Sequence, residues 1–171
     1  MATRTDVFDL GRLQLSSGSG RHVDLHVQLD RFEFGGQTYA AQAELTPVVL
    51  DVARTVVGYA LRLRFESSLD GPCVRCLEPA GVTVEVDDRQ IDQPGEDEDL
   101  SSEYLTGDEL DVHSWARDAL ALALPVQIVC RADCRGLCPV CGVDLNSAEP
   151  DHAHESEPDA RWSKLSELRF E

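Results

Sequence analysis

Six cysteines and two histidines fall into groupings that suit a metal ion. Cys130, Cys134, Cys138 and Cys141, followed by His152 and His154, crowd the last quarter of the chain, and Cys73 and Cys76 form a further pair far upstream. The run Cys138-Pro139-Val140-Cys141-Gly142 reads as a zinc knuckle. Its two sulfurs converge on one side of a tight turn. Proline fixes φ on entry, and glycine tolerates φ > 0 after the second cysteine. The turn's N–H groups can then face the thiolates and offset their charge. Cys73-Val74-Arg75-Cys76 has the same spacing without the proline and glycine.

Zinc takes four ligands in a tetrahedron, and thiolate and imidazole both suit it. Cys73, Cys76, Cys130, Cys134, Cys138, Cys141, His152 and His154 are enough for two closed sites, structural rather than catalytic. A structural zinc supplies about 10–16 kcal/mol of apparent binding free energy, comparable to the ~5–15 kcal/mol stability of a whole domain. A tail with little apolar content can therefore be ordered by metal. Two groupings are open. One joins Cys73 and Cys76 with Cys130 and Cys134, leaving Cys138, Cys141, His152 and His154 as a second site. The other pairs the two tight knuckles as one all-cysteine site. Shorter loop closure favours the first. The competing readings are inert buried thiols and, for the histidines, ordinary surface residues. His22, His26 and His113 read as surface residues.

The elements that must position these groups follow from pattern. Residues 5–15 and 21–34 read as strands, the second from the alternation of Val23, Leu25, Val27 and Leu29. Gly35-Gly36 marks a turn. Leu45–Val52 reads as a strand that Pro47 assigns to an edge or a strand start. Tyr59, Leu61, Leu63 and Phe65 give the clearest half-buried strand, and Val82, Val84 and Val86 the next. Cys73 and Cys76 then lie in the loop between them. Residues 92–103 form an acidic, solvated loop. A helix is predicted over 111–124, capped by Asp111 or Ser114 and ended by Pro125. Trp162, Leu165 and Leu168 suggest a short closing helix. The fold class is α+β: a mostly antiparallel β domain over residues 1–125 with one main helix, then a Cys/His-rich metal-binding extension over 126–171.

The chain has 171 residues, 32 acidic against 15 basic, for a net charge of −17. It is long enough to bury roughly 70% of its unfolded surface, so its cysteines are not needed as crosslinks. No signal peptide and no membrane span are visible, which points to the cytoplasm, where thiols stay reduced. So acidic a chain is repelled by nucleic acid at long range and suits a basic protein partner. Direct RNA contact would need a local patch of Arg62, Arg64, Arg75, Arg131 and Arg135. No P-loop, dinucleotide fingerprint or nucleophile motif is present, and an enzyme is not expected.

Cys73-Val74-Arg75-Cys76-Leu77, Leu124-Pro125, the run Cys134-Arg135-Gly136-Leu137-Cys138-Pro139-Val140-Cys141-Gly142, Leu145-Asn146 and the closing Pro158 to Leu168 together resemble the YceD family, also called the DUF177 domain. Many members carry Cys-x-Cys where this chain has His152-Ala153-His154, a swap that keeps two zinc-competent ligands. Some relatives keep the first cysteine pair and lack the C-terminal knuckle, which supports the first grouping. Asp144 stands where Asn is common. The resemblance implies a role in accumulation of large-subunit (23S) ribosomal RNA, through its synthesis, processing or stability, and a large-subunit ribosomal protein as a possible partner. The alternative is a zinc-thiolate redox switch, since Cys134, Cys138 and Cys141 are spaced like the sensors of anti-sigma factors.

Overall fold

Alternating apolar residues dominate the chain, and strands dominate the computed structural model, which describes residues 2–93 and 100–154. In chain order the elements are β1 (Val7–Asp9), a short 3-10 helix (Leu10–Leu13), β2 (Gly20–Val27), β3 (Phe32–Phe34), β4 (Gln37–Ala41), β5 (Thr46–Arg54), β6 (Tyr59–Pro72), β7 (Pro79–Asp92), β8 (Leu105–Thr106), β9 (Glu109–Asp111) and α1 (Val112–Ala123). The expected helix around Trp162, Leu165 and Leu168 and the middle of the acidic loop, residues 94–99, lie outside the described residues. Every strand pairing is antiparallel, and α1 is the single α-helix of the described residues. None of their helices is long and apolar enough to cross a membrane.

β6 is the spine. It pairs along its whole length with β7 on one side. On the other side it meets β5 through Tyr59–Arg64 and β4 at Leu69 and Asp70. β2 lies outside β5, and β3 outside β4; β1, β9 and β8 form a separate small sheet. Leu61, Leu63, Phe65 and Leu69 of β6 are buried, while Arg62, Arg64 and Glu66 face outward, as the period of two requires. The buried face packs against α1 through Trp115, Ala116, Ala119 and Leu120. Asp111 is the N-cap: its carboxylate accepts from the Ser114 N–H at 2.9 Å.

Four expectations need correction. Residues 5–15 are not one strand. Asp9 accepts from the Gly11 N–H at 2.9 Å and turns the chain into the 3-10 helix, and Gln14 leaves it at φ 49°. Residues 21–34 break after Val27, because its partner Thr46 is the first residue of β5 and the ladder ends there. Leu29 stays buried across the gap, so the alternation persists although the pairing does not. Of the two places that Pro47 allows, β5 takes the strand start: the strand is interior, and Pro47 is its second residue, before pairing with β6 begins at Val49. Asp92 is not solvated: it is buried at the end of β7 and accepts from the Ser102 N–H at 3.1 Å. Among the histidines, His22 is exposed and binds Asp51 at 2.8 Å, but His26 and His113 are half-buried, with His113 3.2 Å from Asp30.

Candidate metal centre

The inward stripe of β6 runs on past Leu69 to Cys73, which is fully buried in the loop to β7. Tyr39 of β4 steadies this end of the strand by donating its hydroxyl to the Pro72 carbonyl at 2.8 Å. The loop then forms a knuckle. The Leu77 N–H bonds the Cys73 carbonyl at 3.0 Å, and the Cys73 N–H bonds the Glu78 carbonyl at 2.7 Å. The second knuckle repeats both bonds: Gly142 N–H to the Cys138 carbonyl at 2.8 Å, and Cys138 N–H to the Val143 carbonyl at 2.8 Å. The repeat extends to the backbone, since Leu77 has φ 65° where Gly142 has φ 74°. A leucine is thus held in a conformation that costs an L-residue about 1–2 kcal/mol. Its side chain is half exposed and gains little in return. Leu77→Gly should therefore raise stability by about 0.5–1 kcal/mol, after allowing for glycine's greater freedom when unfolded. A higher urea midpoint at unchanged slope is the expected reading.

The extension after α1 docks onto this loop. Val74 donates its N–H to the Ile128 carbonyl at 3.0 Å, and Leu137 donates to the Arg75 carbonyl at 3.0 Å. Gly136 permits the second contact. It sits at φ 77°, and a Cβ there would lie 3.0 Å from the Arg75 carbonyl oxygen and 3.3 Å from its Cβ. Gly136→Ala is expected to weaken the docking by about 2 kcal/mol. Earlier loss of metal from the first site on titration with a chelator would report it.

The structure brings the eight donor residues into two groups, Cys73, Cys76, Cys130 and Cys134, and Cys138, Cys141, His152 and His154; within each, the donor atoms lie within 4.8 Å of one another. The two knuckles do not share a site. A tetrahedral ion at about 2.3 Å from each sulfur separates them by about 3.8 Å. In the first group Cys73 and Cys134 sulfurs are 3.8 Å apart and those of Cys76 and Cys130 3.6 Å apart. In the second, Cys141 Sγ lies 3.5 Å from His152 Nε2 and 3.2 Å from His154 Nε2, and the two nitrogens are 3.2 Å apart. Nitrogen ligands at about 2.0–2.1 Å shorten the tetrahedral edges in this way. Both donor sets fit a four-coordinate ion and could hold one.

The electrostatics point the same way. Burial pushes the Cys73 thiol up, but the N–H groups of Cys130, Cys76 and Arg75 outweigh it and bring the thiol down to about 6. At Cys76 the Glu78 N–H favours the thiolate, yet burial and the neighbouring thiols prevail and push it up to about 12. One sulfur ionises readily and the next resists, because like charges crowd the same few ångströms. A divalent cation removes that conflict by replacing the protons. In the second group the Cys141 N–H, the His152 ring and the Val140 N–H bring Cys138 down to about 6.

Two further residues support the first group. Asn146 donates its side-chain N–H to Cys134 Sγ at 3.6 Å, and its carbonyl oxygen accepts from the Arg135 N–H at 2.8 Å. The Asp144 carboxylate orients that amide through its Nδ2 at 2.6 Å. Arg75 donates to the Cys134 carbonyl and to Gln127 Oε1, both at 3.0 Å, and so fastens the two segments together. Both residues stand in motifs read from the sequence, Arg75 inside the first knuckle and Asn146 after the second, but their supporting roles were not read there. Of the other arginines considered for RNA, Arg62 is paired with Asp87, Arg64 with Asp51 and Arg131 with Asp133.

Comparison with known proteins places this geometry. The sequence profile of the family described as "Large ribosomal RNA subunit accumulation protein YceD" matches residues 61–169, a stretch that contains both donor groups. Uncharacterized proteins of Mycobacterium tuberculosis and Mycobacterium bovis are each 40% identical over 106 residues, covering 57% of this chain and 49% of theirs. One from Mycobacterium leprae is 33% identical over 103 residues, covering 56% of this chain and 46% of its own. The chain thus spans about half the length of the curated relatives it matches. No solved structure matches it. With almost two thirds of its length inside the profile, the chain belongs to the YceD family of large ribosomal RNA subunit accumulation proteins.

Proposed function

We propose that the protein is a non-enzymatic, zinc-ordered factor that supports the synthesis, processing or stability of 23S ribosomal RNA in the cytoplasm. Zinc is the ion that best suits all-thiolate and mixed thiolate–imidazole sets of four. Closed sets leave no position for a reacting water, so the ions act as structure. The observation that carries the reading is the presence of two complete donor sets inside the stretch shared with the family. RNA contact is indirect. The net charge of −17 opposes a polyanion, and Arg62, Arg64 and Arg131 already have acidic partners. The direct partner is a basic protein, of which a large-subunit ribosomal protein is the leading candidate. Affinity capture with the zinc-loaded protein should recover ribosomal proteins or a pre-ribosomal particle; recovery of neither would overturn the proposal.

A thiol switch is the second reading, favoured by the exposure of Cys130 and Cys141. Hydrogen peroxide would take two electrons from Cys138 and Cys141, join them as a disulfide, be reduced to water and displace the ion. Full retention of metal under mild peroxide would remove it.

A further inference from the structure

The longest strand edge among the described residues belongs to β7. All 14 of its residues pair with β6 on one side. On the other side no strand of the described residues lies beside it, and no backbone hydrogen bond from a described residue reaches it between Pro79 and Ile91. An edge of this length offers a row of free N–H and C=O groups, the usual template for an added strand. Contrast β2 at the far side of the sheet, whose outer edge is met by the Thr5 N–H on the His26 carbonyl at 2.8 Å.

The side chains say what would fit there. On the core side β7 carries Val82, Val84 and Val86, with Val82 only half-buried. On the open side it carries Thr83, Glu85, Asp87 and Arg89. Glu85 stands directly opposite Glu66 of β6, and both are exposed. Like charges in this position repel. The nearest cations cannot relieve them, because Arg62 is bound to Asp87 and Arg64 to Asp51. A second copy paired about Glu85 would set the two carboxylates against each other, whereas one paired about Asp87 would set Glu85 against Arg89, so self-association stands as an outcome of the test. A nucleic acid backbone is opposed by Glu66 and Glu85.

We propose that the free edge of β7 accepts an extended segment of a basic protein as an added strand. The segment would alternate Lys or Arg, facing Glu66 and Glu85, with small apolar residues continuing the Val82–Val84–Val86 face. This rests on the reading of the chain as a binder of a basic protein, and assigns that binding to one edge.

The test uses the zinc-loaded chain and a fluorescent nine-residue peptide of alternating lysine and valine, followed by anisotropy. Two further peptides carry N-methyl groups on every lysine or on every valine. Strand addition uses the N–H groups of one alternate set only. One methylated peptide should therefore bind about tenfold or more weakly, while the other binds as the parent does. Glu85→Lys, and independently Glu66→Lys, should each weaken the parent peptide by about tenfold, with metal content unchanged. Equal binding of all three peptides, or no effect of either substitution, would overturn the proposal, as would tighter binding of a single-stranded RNA or self-association through this edge. The two levels separate cleanly. If Glu85→Lys still captures ribosomal proteins as the native chain does, the edge is wrong and the function stands; if the native chain captures none, the function falls.

Discussion

Cys73→Ser should leave the protein with one metal ion where two are expected for the native chain. Cys73 is fully buried where β6 meets the extension, its sulfur 3.8 Å from that of Cys134. Serine puts a weak ligand there and buries a hydroxyl among apolar neighbours. Changes to groups that merely support a metal ligand lower affinity by about 10–100-fold, so losing the ligand itself should exceed about 100-fold. The expected loss of stability is about 4 kcal/mol or more, the range seen when a structural metal is lost. Hydrogen exchange should then rise over residues 126–137, which carry no helix or strand of their own. Cys138→Ser should also remove one ion, but with the exchange confined to residues near the second knuckle. Elemental analysis decides the matter. Two ions retained in Cys73→Ser, or none in the native protein, would defeat the two-site reading.

Trp115→Ala carries the second large effect. Trp115 is fully buried, stacks on Tyr104 with ring centroids 6.2 Å apart, and donates its indole N–H to Asp88 at 2.6 Å. Truncating a buried tryptophan costs about 3–5 kcal/mol, and the carboxylate left behind adds about 1 kcal/mol. The sum, about 4–6 kcal/mol, approaches the whole stability of a modest domain. Trp115→Phe keeps most of the packing and should lose only about 1–2 kcal/mol. Urea unfolding of both variants measures the difference; a loss below about 2 kcal/mol for alanine would mean that α1 is not what holds the sheet's covered face.

Where local pattern and tertiary pairing agree, the sequence was sufficient. α1 has both a cap and a proline stop and was legible to within a residue or two; β6 was legible in its alternation over Tyr59–Phe65, but it runs on through Asp70 and Gly71 to Pro72, where turn-forming residues mask the pairing with β7. Where the two disagree, pattern misled. Leu29 keeps the alternation alive beyond the end of β2's partner strand, and Asp92 looks like the first of an acidic run although it is anchored inward by Ser102. β4 offered only one aromatic among small polar residues, too little to announce a strand. The metal ligands could be listed from spacing and residue type, but their grouping rests on how the extension folds back over the first knuckle. That return is set by Val74, Arg75 and Gly136, none of which is a ligand. Nothing in spacing suggested that Leu77 would adopt the backbone conformation of Gly142.

The first donor set draws on residues far apart in the chain, with Cys76 and Cys130 separated by 54 positions. The ribosome therefore delivers half of that set well before the other half. At about 5–20 residues per second, Cys73 and Cys76 wait roughly 3–10 s before their partners emerge. Through that interval they are a bare dithiol at the end of a growing hairpin, open to oxidants and to stray metals. The second set lies within residues 138–154 and waits a shorter time, although the chain completes it after the first. The clasp joining tail to body thus receives its last ligand before the distal one does, yet its earliest thiols stand bare the longest.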